Sequence, residues 1–372
     1  MMKFQFDATQ QYQLDAVAAI ADIFKGQQRK SVQYSVMVGG DEVGKLPGFD
    51  QFGDNVGNVL GITEAEMRSN VREIQGRNQI ADAASETELS NWIVDDPING
   101  LPRACPHFTI EMETGTGKTY VYLRTIMELA KKYGYRKFVI VVPSIAIREG
   151  TLKSIEQTKE HLLTLYNEPV ASFVYDSKNV NRLRQFASSN AVEIMVINIQ
   201  AFVKGYSENP DDDEDDDGGR VIYRRSDKLS GKRPIDFVHA ARPIVIIDEP
   251  QSVNGTEKST EALMQLNPLC TLRYSATHKD RHNLMYVLDP IRAFQMKLVK
   301  QIVVSEVTGA DEGNDSMVRV EAVESKKTIR AKLSINVKQQ EGCSSIARVQ
   351  ANDPRCRPRD TQGRKARRDH TG

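Results

Sequence analysis

The sequence predicts an α/β fold built on a mostly parallel sheet, and two observations carry that prediction. Four short runs rich in valine and isoleucine lie at 108–112 (FTIEM), 137–143 (KFVIVVP), 192–199 (VEIMVINI) and 243–249 (PIVIIDE), with helix-like stretches between them. Strands of that length with no polar alternation are those of a sheet buried on both faces. The chain, at 372 residues with 40% hydrophobic and 27% charged residues, is also long enough for a large core and the opening of a second domain.

The elements follow in order. Leu14, Val17, Ala18, Ala21 and Phe24 recur at helical spacing, which predicts an amphipathic helix over 10–25 capped at Thr9. Residues 39–61 are rich in Gly, Asp and Asn and read as loop or insertion. Thr63 and Glu66 have the spacing of a capping box, so 63–80 should be a polar helix. After FTIEM comes a helix with Tyr122, Ile126, Leu129 and Ala130 on one face and Gly134 as its stop. The seven acids Asp211 to Asp217 could be imagined as a metal site. Contiguous carboxylates repel one another, so a solvated, disordered loop is the expectation.

Fifty basic residues balance fifty acidic ones, so no global field advertises nucleic acid or membrane. Cys105, Cys270, Cys343 and Cys356 form no C-x-x-C pair, which fits a reducing compartment and argues against a structural zinc. MMKFQFDATQ lacks an apolar leader core, and no run approaches the roughly 18 apolar residues of a membrane span. A cytoplasmic protein without a membrane partner is expected.

Two stretches carry chemistry. Glu111-Met112-Glu113-Thr114-Gly115-Thr116-Gly117-Lys118-Thr119 joins a strand to a helix. Glycines there let backbone N–H groups close on phosphates at a helix N-terminus. Lys118 neutralises phosphate oxygens and the Thr119 hydroxyl ligates Mg²⁺, which predicts ATP and Mg²⁺ as cofactors. The usual first glycine of this loop is Met112, a variant typical of helicase-like motors. The apolar strand IVII then delivers Asp248 to the Mg²⁺ water shell and Glu249 to the attacking water, and Pro250 stops the strand.

Together TGTGKT, IIDEPQ and Tyr274-Ser275-Ala276-Thr277-His278 resemble motifs I, II and III of superfamily 2 helicases. The D-E-P-Q form resembles the restriction (Res) subunit of type III restriction-modification enzymes. Val142 to Gly150 resembles motif Ia, Val196 to Phe202 the Ib region, and Tyr12-Gln13 the glutamine element that recognises adenine. The resemblance spans roughly residues 4–300. It implies a RecA-like P-loop NTPase domain over 1–290, with insertions about 38–104 and 205–232, and an incomplete second motor domain over 291–342. It further implies Gln13 at the adenine, Gln251, Ser275, Ala276 and Thr277 coupling the nucleotide to DNA, and Ser144, Arg148, Asn198 and Gln200 on the DNA backbone. Double-stranded DNA and a modification methyltransferase (Mod) subunit are the implied partners.

The departures shape the expectation as much. The region from Leu284 to Leu298 reads as the opening of the second motor domain, with a further strand around Thr328 to Val337. No arginine finger or nuclease constellation is legible, so hydrolysis by this chain is expected to be poor. From about residue 342 the chain loses its apolar pattern. A basic nucleic-acid-binding tail and a disordered end are two readings of 343–372; a frameshifted, truncating tail is the favoured third. Another superfamily 2 helicase fragment, or a non-catalytic truncated product, are the alternatives.

Overall fold

In the computed structural model the chain divides into two compact units, 1–301 and 302–372. The described residues are 6–29, 57–80, 88–97, 100–177, 179–203, 220–225, 229, 231–253 and 256–300, with backbone alone for 201–202, 220, 318–325, 329–338 and 344–350. The acidic run 211–217 lies outside them.

The first unit runs α1 (Gln11–Ala21), α2 (Glu64–Arg77), β1 (Asn91–Asp95), β2 (Pro102–Met112), α3 (Lys118–Tyr133), β3 (Lys137–Val142), α4 (Ile145–Tyr166), β4 (Val170–Val174) and α5 (Asn181–Ser188). It continues with β5 (Val192–Asn198), α6 (Ile199–Val203), α7 (Pro234–Ala241), β6 (Ile244–Asp248), α8 (Pro250–Val253), α9 (Glu257–Met264), β7 (Cys270–Ser275), β8 (Leu284–Leu288) and α10 (Pro290–Gln295). The strands form one sheet in the order β1-β2-β7-β6-β3-β5-β4, with β8 also paired to β2. Among the described strands of this sheet only β1 is antiparallel, so the carboxyl ends of the other seven share one edge.

The four valine- and isoleucine-rich runs become β2, β3, β5 and β6, buried on both faces as expected. Phe108, Ile110, Ile140, Val142 and Ile246 pack with α1, α3 and α4, whereas Val139, Val141, Met195, Val245 and Ile247 pack with α5, α7 and α9. Each fully buried aliphatic side chain contributes on the order of 1.5–3 kcal/mol. α3 ends where predicted, with Gly134 at φ 78° and its N–H on the Ala130 carbonyl. The capping box of α2 is formed: Glu66 N–H donates to Thr63 Oγ1 at 3.2 Å and Thr63 N–H to Glu66 Oε2 at 2.7 Å.

Three expectations need correcting. The N-cap of α1 is Gln10, not Thr9, because the Thr9 hydroxyl and N–H both turn to Asp7 Oδ1 at 2.6 and 2.8 Å. The stretch opening at Leu284 belongs in its first part to the first sheet, where β8 runs parallel to the last residues of β2. The tail is not patternless throughout: the described residues of the second unit form a three-stranded antiparallel sheet of β9 (Val318–Ser325), β10 (Ile329–Lys338) and β11 (Ser344–Gln350). Backbone pairing with β10 orders Ser344–Gln350, and the register sets Val349 opposite Leu333 and Ala347 opposite Ile335.

Asn58, inside the stretch read as loop, is buried and pins the start of β3. Its amide donates to the Lys137 carbonyl at 2.7 Å and accepts from the N–H groups of Arg136 and Lys137 at 2.8 and 3.2 Å. No helix among the described residues is long and apolar enough to cross a membrane.

Candidate nucleotide site

The phosphate loop lies between the end of β2 and the start of α3. Gly115 and Gly117 have φ of 84° and 90°, in the left-handed region where a side chain is strained. A Cβ on Gly115 would meet no atom within 4 Å, so the loop presents an open backbone cradle there. The loop is braced from within, with Thr116 Oγ1 donating to the Glu113 carbonyl at 2.6 Å and Thr114 N–H to Glu113 Oε1 at 2.8 Å. It is also braced by α1. Tyr12 Oη and Gln13 Nε2 both donate to the Thr116 carbonyl, at 3.1 and 3.2 Å.

β6 ends at the same edge, one strand away across β7. Asp248 is buried at its last position, level with Tyr274 of β7. Glu249 leaves the strand at φ 54°, and its N–H still reaches the Tyr274 carbonyl at 2.9 Å. A non-glycine residue held there costs about 1–2 kcal/mol, which the contacts of its carboxylate must outweigh. Those contacts are several. Glu249 Oε1 is 3.2 Å from Lys118 Nζ, and Oε2 accepts from Gln251 Nε2 at 2.6 Å and from Ser275 Oγ at 2.5 Å. Pro250 then opens α8 instead of a loop, its fixed φ suiting a first helical position.

The two acids are driven apart electrically. Burial, reinforced by the Glu249 charge and opposed by Lys118, pushes Asp248 up to about 6. Burial also acts to raise Glu249, but hydrogen bonds from Ser275 and Gln251, with the Lys118 charge, outweigh it and hold its carboxyl below the usual value. Thr119 stands in the first turn of α3, so Asp248 and Thr119 offer two oxygens on this edge. That small protein share suits Mg²⁺, which keeps waters and substrate phosphates in its shell.

The remaining predicted residues fall on the same edge. Ser275 Oγ, with its one proton on Glu249, accepts the Thr277 N–H at 3.2 Å, so the Ser275-Ala276-Thr277 turn is closed on itself. Ser144 follows β3 and caps α4, accepting the Ile147 N–H at 3.3 Å. Arg148 reaches Glu149 Oε1 at 2.7 Å, and Asn198 Oδ1, at the end of β5, accepts the Gln200 N–H at 3.1 Å. The structure thus sets Gln13 on Thr116 in the loop, and joins Lys118, Glu249, Gln251 and Ser275 in one chain of contacts. Among the described residues, Ser144, Arg148, Asn198 and Gln200 have side-chain partners close in sequence.

Sequence reading missed Glu111 and Arg281. Arg281 grips the buried Glu111 carboxylate through two parallel bonds, Nε to Oε1 at 2.9 Å and Nη2 to Oε2 at 2.8 Å. The signal was present: an acid inside the apolar run FTIEM must find a cation, since an unpaired buried charge is strongly destabilising.

The family model described as type III restriction enzyme, res subunit, matches residues 72–280. The chain belongs to that family. The Res subunit of the type III restriction-modification enzyme EcoP15I from Escherichia coli is 28% identical over 262 residues, covering 65% of this chain and 24% of that protein. The EcoPI Res subunit of Escherichia phage P1 is 27% identical over 256 residues, with the same coverage of each chain. The StyLTI Res subunit of Salmonella typhimurium is 28% identical over 254 residues, 59% of this chain and 24% of its own length. The chain therefore spans about a quarter of the length of the curated relatives it matches. A solved KaiC-like protein from Pyrococcus horikoshii, 13% identical, aligns with 70% of this chain and 93% of its own at a TM-score of 0.23, too low to bear on the fold. The P-loop NTPase class rests on the parallel sheet with the phosphate loop and acidic strand end at one edge.

Proposed function

We propose that this chain carries the ATP- and Mg²⁺-dependent motor of a type III restriction Res subunit, a DNA translocase that acts with a modification methyltransferase (Mod) partner on double-stranded DNA. The observation that supports this reading best is the meeting of Lys118, Glu249 and Ser275 at the carboxyl edge of the parallel sheet, where such folds bind ligands.

The phosphates lie in the Gly115 cradle with Lys118 as counter-charge, and Gln13, already at the loop, reads the base. Thr119 and Asp248 would hold Mg²⁺, which would supply charge neutralisation on the phosphate oxygens. Glu249 orients the attacking water and accepts its proton. With Oε2 anchored by Ser275 and Gln251, Oε1 is the oxygen that turns to water once Lys118 moves to phosphate. Ser144, Arg148, Asn198 and Gln200 meet the DNA backbone, so binding weakens steeply with salt and depends little on sequence.

Titration of the chain with a fluorescent ATP analogue, with and without Mg²⁺, tests the nucleotide half, and retention of a labelled duplex tests the DNA half. Absence of Mg²⁺-dependent nucleotide binding would overturn the reading.

A further inference from the structure

On β2 and β7 the sheet face opposite α3 is polar rather than aliphatic. His107, Thr109 and Glu111 stand beside Thr271, Arg273 and Ser275, paired residue for residue. Among the described residues no helix supplies their side-chain hydrogen bonds. The segment 276–283 does so by running back along β2: His278 Nε2 contacts the Ile110 carbonyl at 3.2 Å, and His282 N–H donates to Thr109 Oγ1 at 3.0 Å. Asn283 Nδ2 donates to the His107 carbonyl at 2.6 Å, and the Arg281 fork closes on Glu111. The loop after Ser275 is thereby a strap fastened along the strand that enters the phosphate loop.

The fastening completes a ring. Lys118 pairs with Glu249, Glu249 with Ser275, and Ser275 with Thr277. Arg281, four residues further on, returns to Glu111, which lies directly opposite Ser275 in register and one residue before Met112, whose carbonyl faces Lys118 Nζ at 3.5 Å. Movement of Lys118 onto a phosphate pulls on one arm of this ring. The other arm decides whether the Ser275–Thr277 turn follows or stays with β2.

We propose that Arg281, acting through Glu111, is a positioning residue that sets the Ser275–Thr277 turn against β2, so that nucleotide at Lys118 changes the affinity of the chain for DNA. This rests on the reading of the site as an ATP- and DNA-handling motor. Stabilisation alone would not require a fork. The Arg281 side chain is 55% exposed and that of Glu111 only 6%, so Arg281 also offsets a buried charge, a role that any cation could fill. What a bidentate fork adds at such a site is direction.

The test uses the full 372-residue chain, a fluorescein-labelled DNA duplex with a single-stranded tail, and Mg·ATPγS. The wild type is expected to change its DNA affinity by roughly fivefold or more when Mg·ATPγS is added. Arg281→Ala should keep Mg·ATPγS affinity within about threefold of wild type while that coupling factor falls towards one. Arg281→Lys, which restores the charge but not the fork, should recover part of it. Unchanged coupling in Arg281→Ala overturns the proposal. So does a wild type that binds both ligands without coupling, or an Arg281→Ala chain that loses nucleotide affinity and thermal stability in parallel with coupling. A wild type that binds neither ligand fails earlier and overturns the functional reading itself.

Discussion

The Lys118 ammonium sits 3.2 Å from Glu249 Oε1, so these two charges offset each other across the sheet edge. On the proposed reading, bound nucleotide separates them. Lys118→Ala should therefore abolish Mg·ATP binding, whereas Glu249→Gln should retain it and lose hydrolysis. Because Gln holds Lys118 less strongly, Glu249→Gln should bind Mg·ATP as tightly as wild type or up to about fivefold more tightly, the worth of a partly exposed pair. Calorimetric titration of both variants decides it; equal loss of binding in the two removes Glu249 from the hydrolytic role.

The two glycines of the loop should respond differently to alanine. Gly115 has open space around it, so only left-handed strain applies, about 1–2 kcal/mol, or roughly tenfold in Mg·ATP affinity. A Cβ on Gly117 would stand 2.9 Å from Gln13 Nε2 and displace that side chain from the loop. Gly117→Ala should thus weaken binding and also lose preference for ATP over GTP, while Gly115→Ala keeps the preference. Competition between the two nucleotides measures it.

Asn58→Ala should unfold the protein more easily by about 2–4 kcal/mol, since it removes several bonds and strands backbone groups at the buried start of β3. Denaturant midpoints report this, and a change under about 1 kcal/mol would contradict the pinning role.

His107 gives the fold a pH dependence of known sign. Burial first, then the charge of Arg273 and the neighbouring His282, lower it to about 2, and its Nδ1 faces Thr271 Oγ1 at 2.8 Å. Below the ordinary histidine value near 6.5 the unfolded chain takes up a proton that the native chain refuses. The stability from this group is full above pH 6.5 and falls by about 1.4 kcal/mol per pH unit below it. His107→Asn, able to keep a bond to Thr271, should reduce the loss of unfolding free energy between about pH 6.5 and 5.5, read from denaturant curves, by about 1 kcal/mol.

What could be read from the sequence was whatever lay close together along it. β2, β3, β5 and β6 are apolar on both faces and announce themselves. β7 does not, because Thr271, Arg273 and Ser275 break its apolar run, and β4 is only partly buried. The loop from Thr114 to Thr119 and the Asp248-Glu249 pair were legible because their chemistry is local. The grip of Arg281 on Glu111 was not, because strand order alone brings those residues together from 170 positions apart. Ser144 and Arg148 were legible as polar residues after a strand, but their contacts to Ile147 and Glu149 depend on how α4 starts.

Strand order also sets a timetable. β2 carries the phosphate loop, yet its parallel neighbours β7 and β8 are encoded beyond residue 269. At roughly 5–20 residues per second, a nascent chain holds β2 without them for about ten to thirty seconds. The loop that β2 carries is thus synthesised well before the strands that flank it.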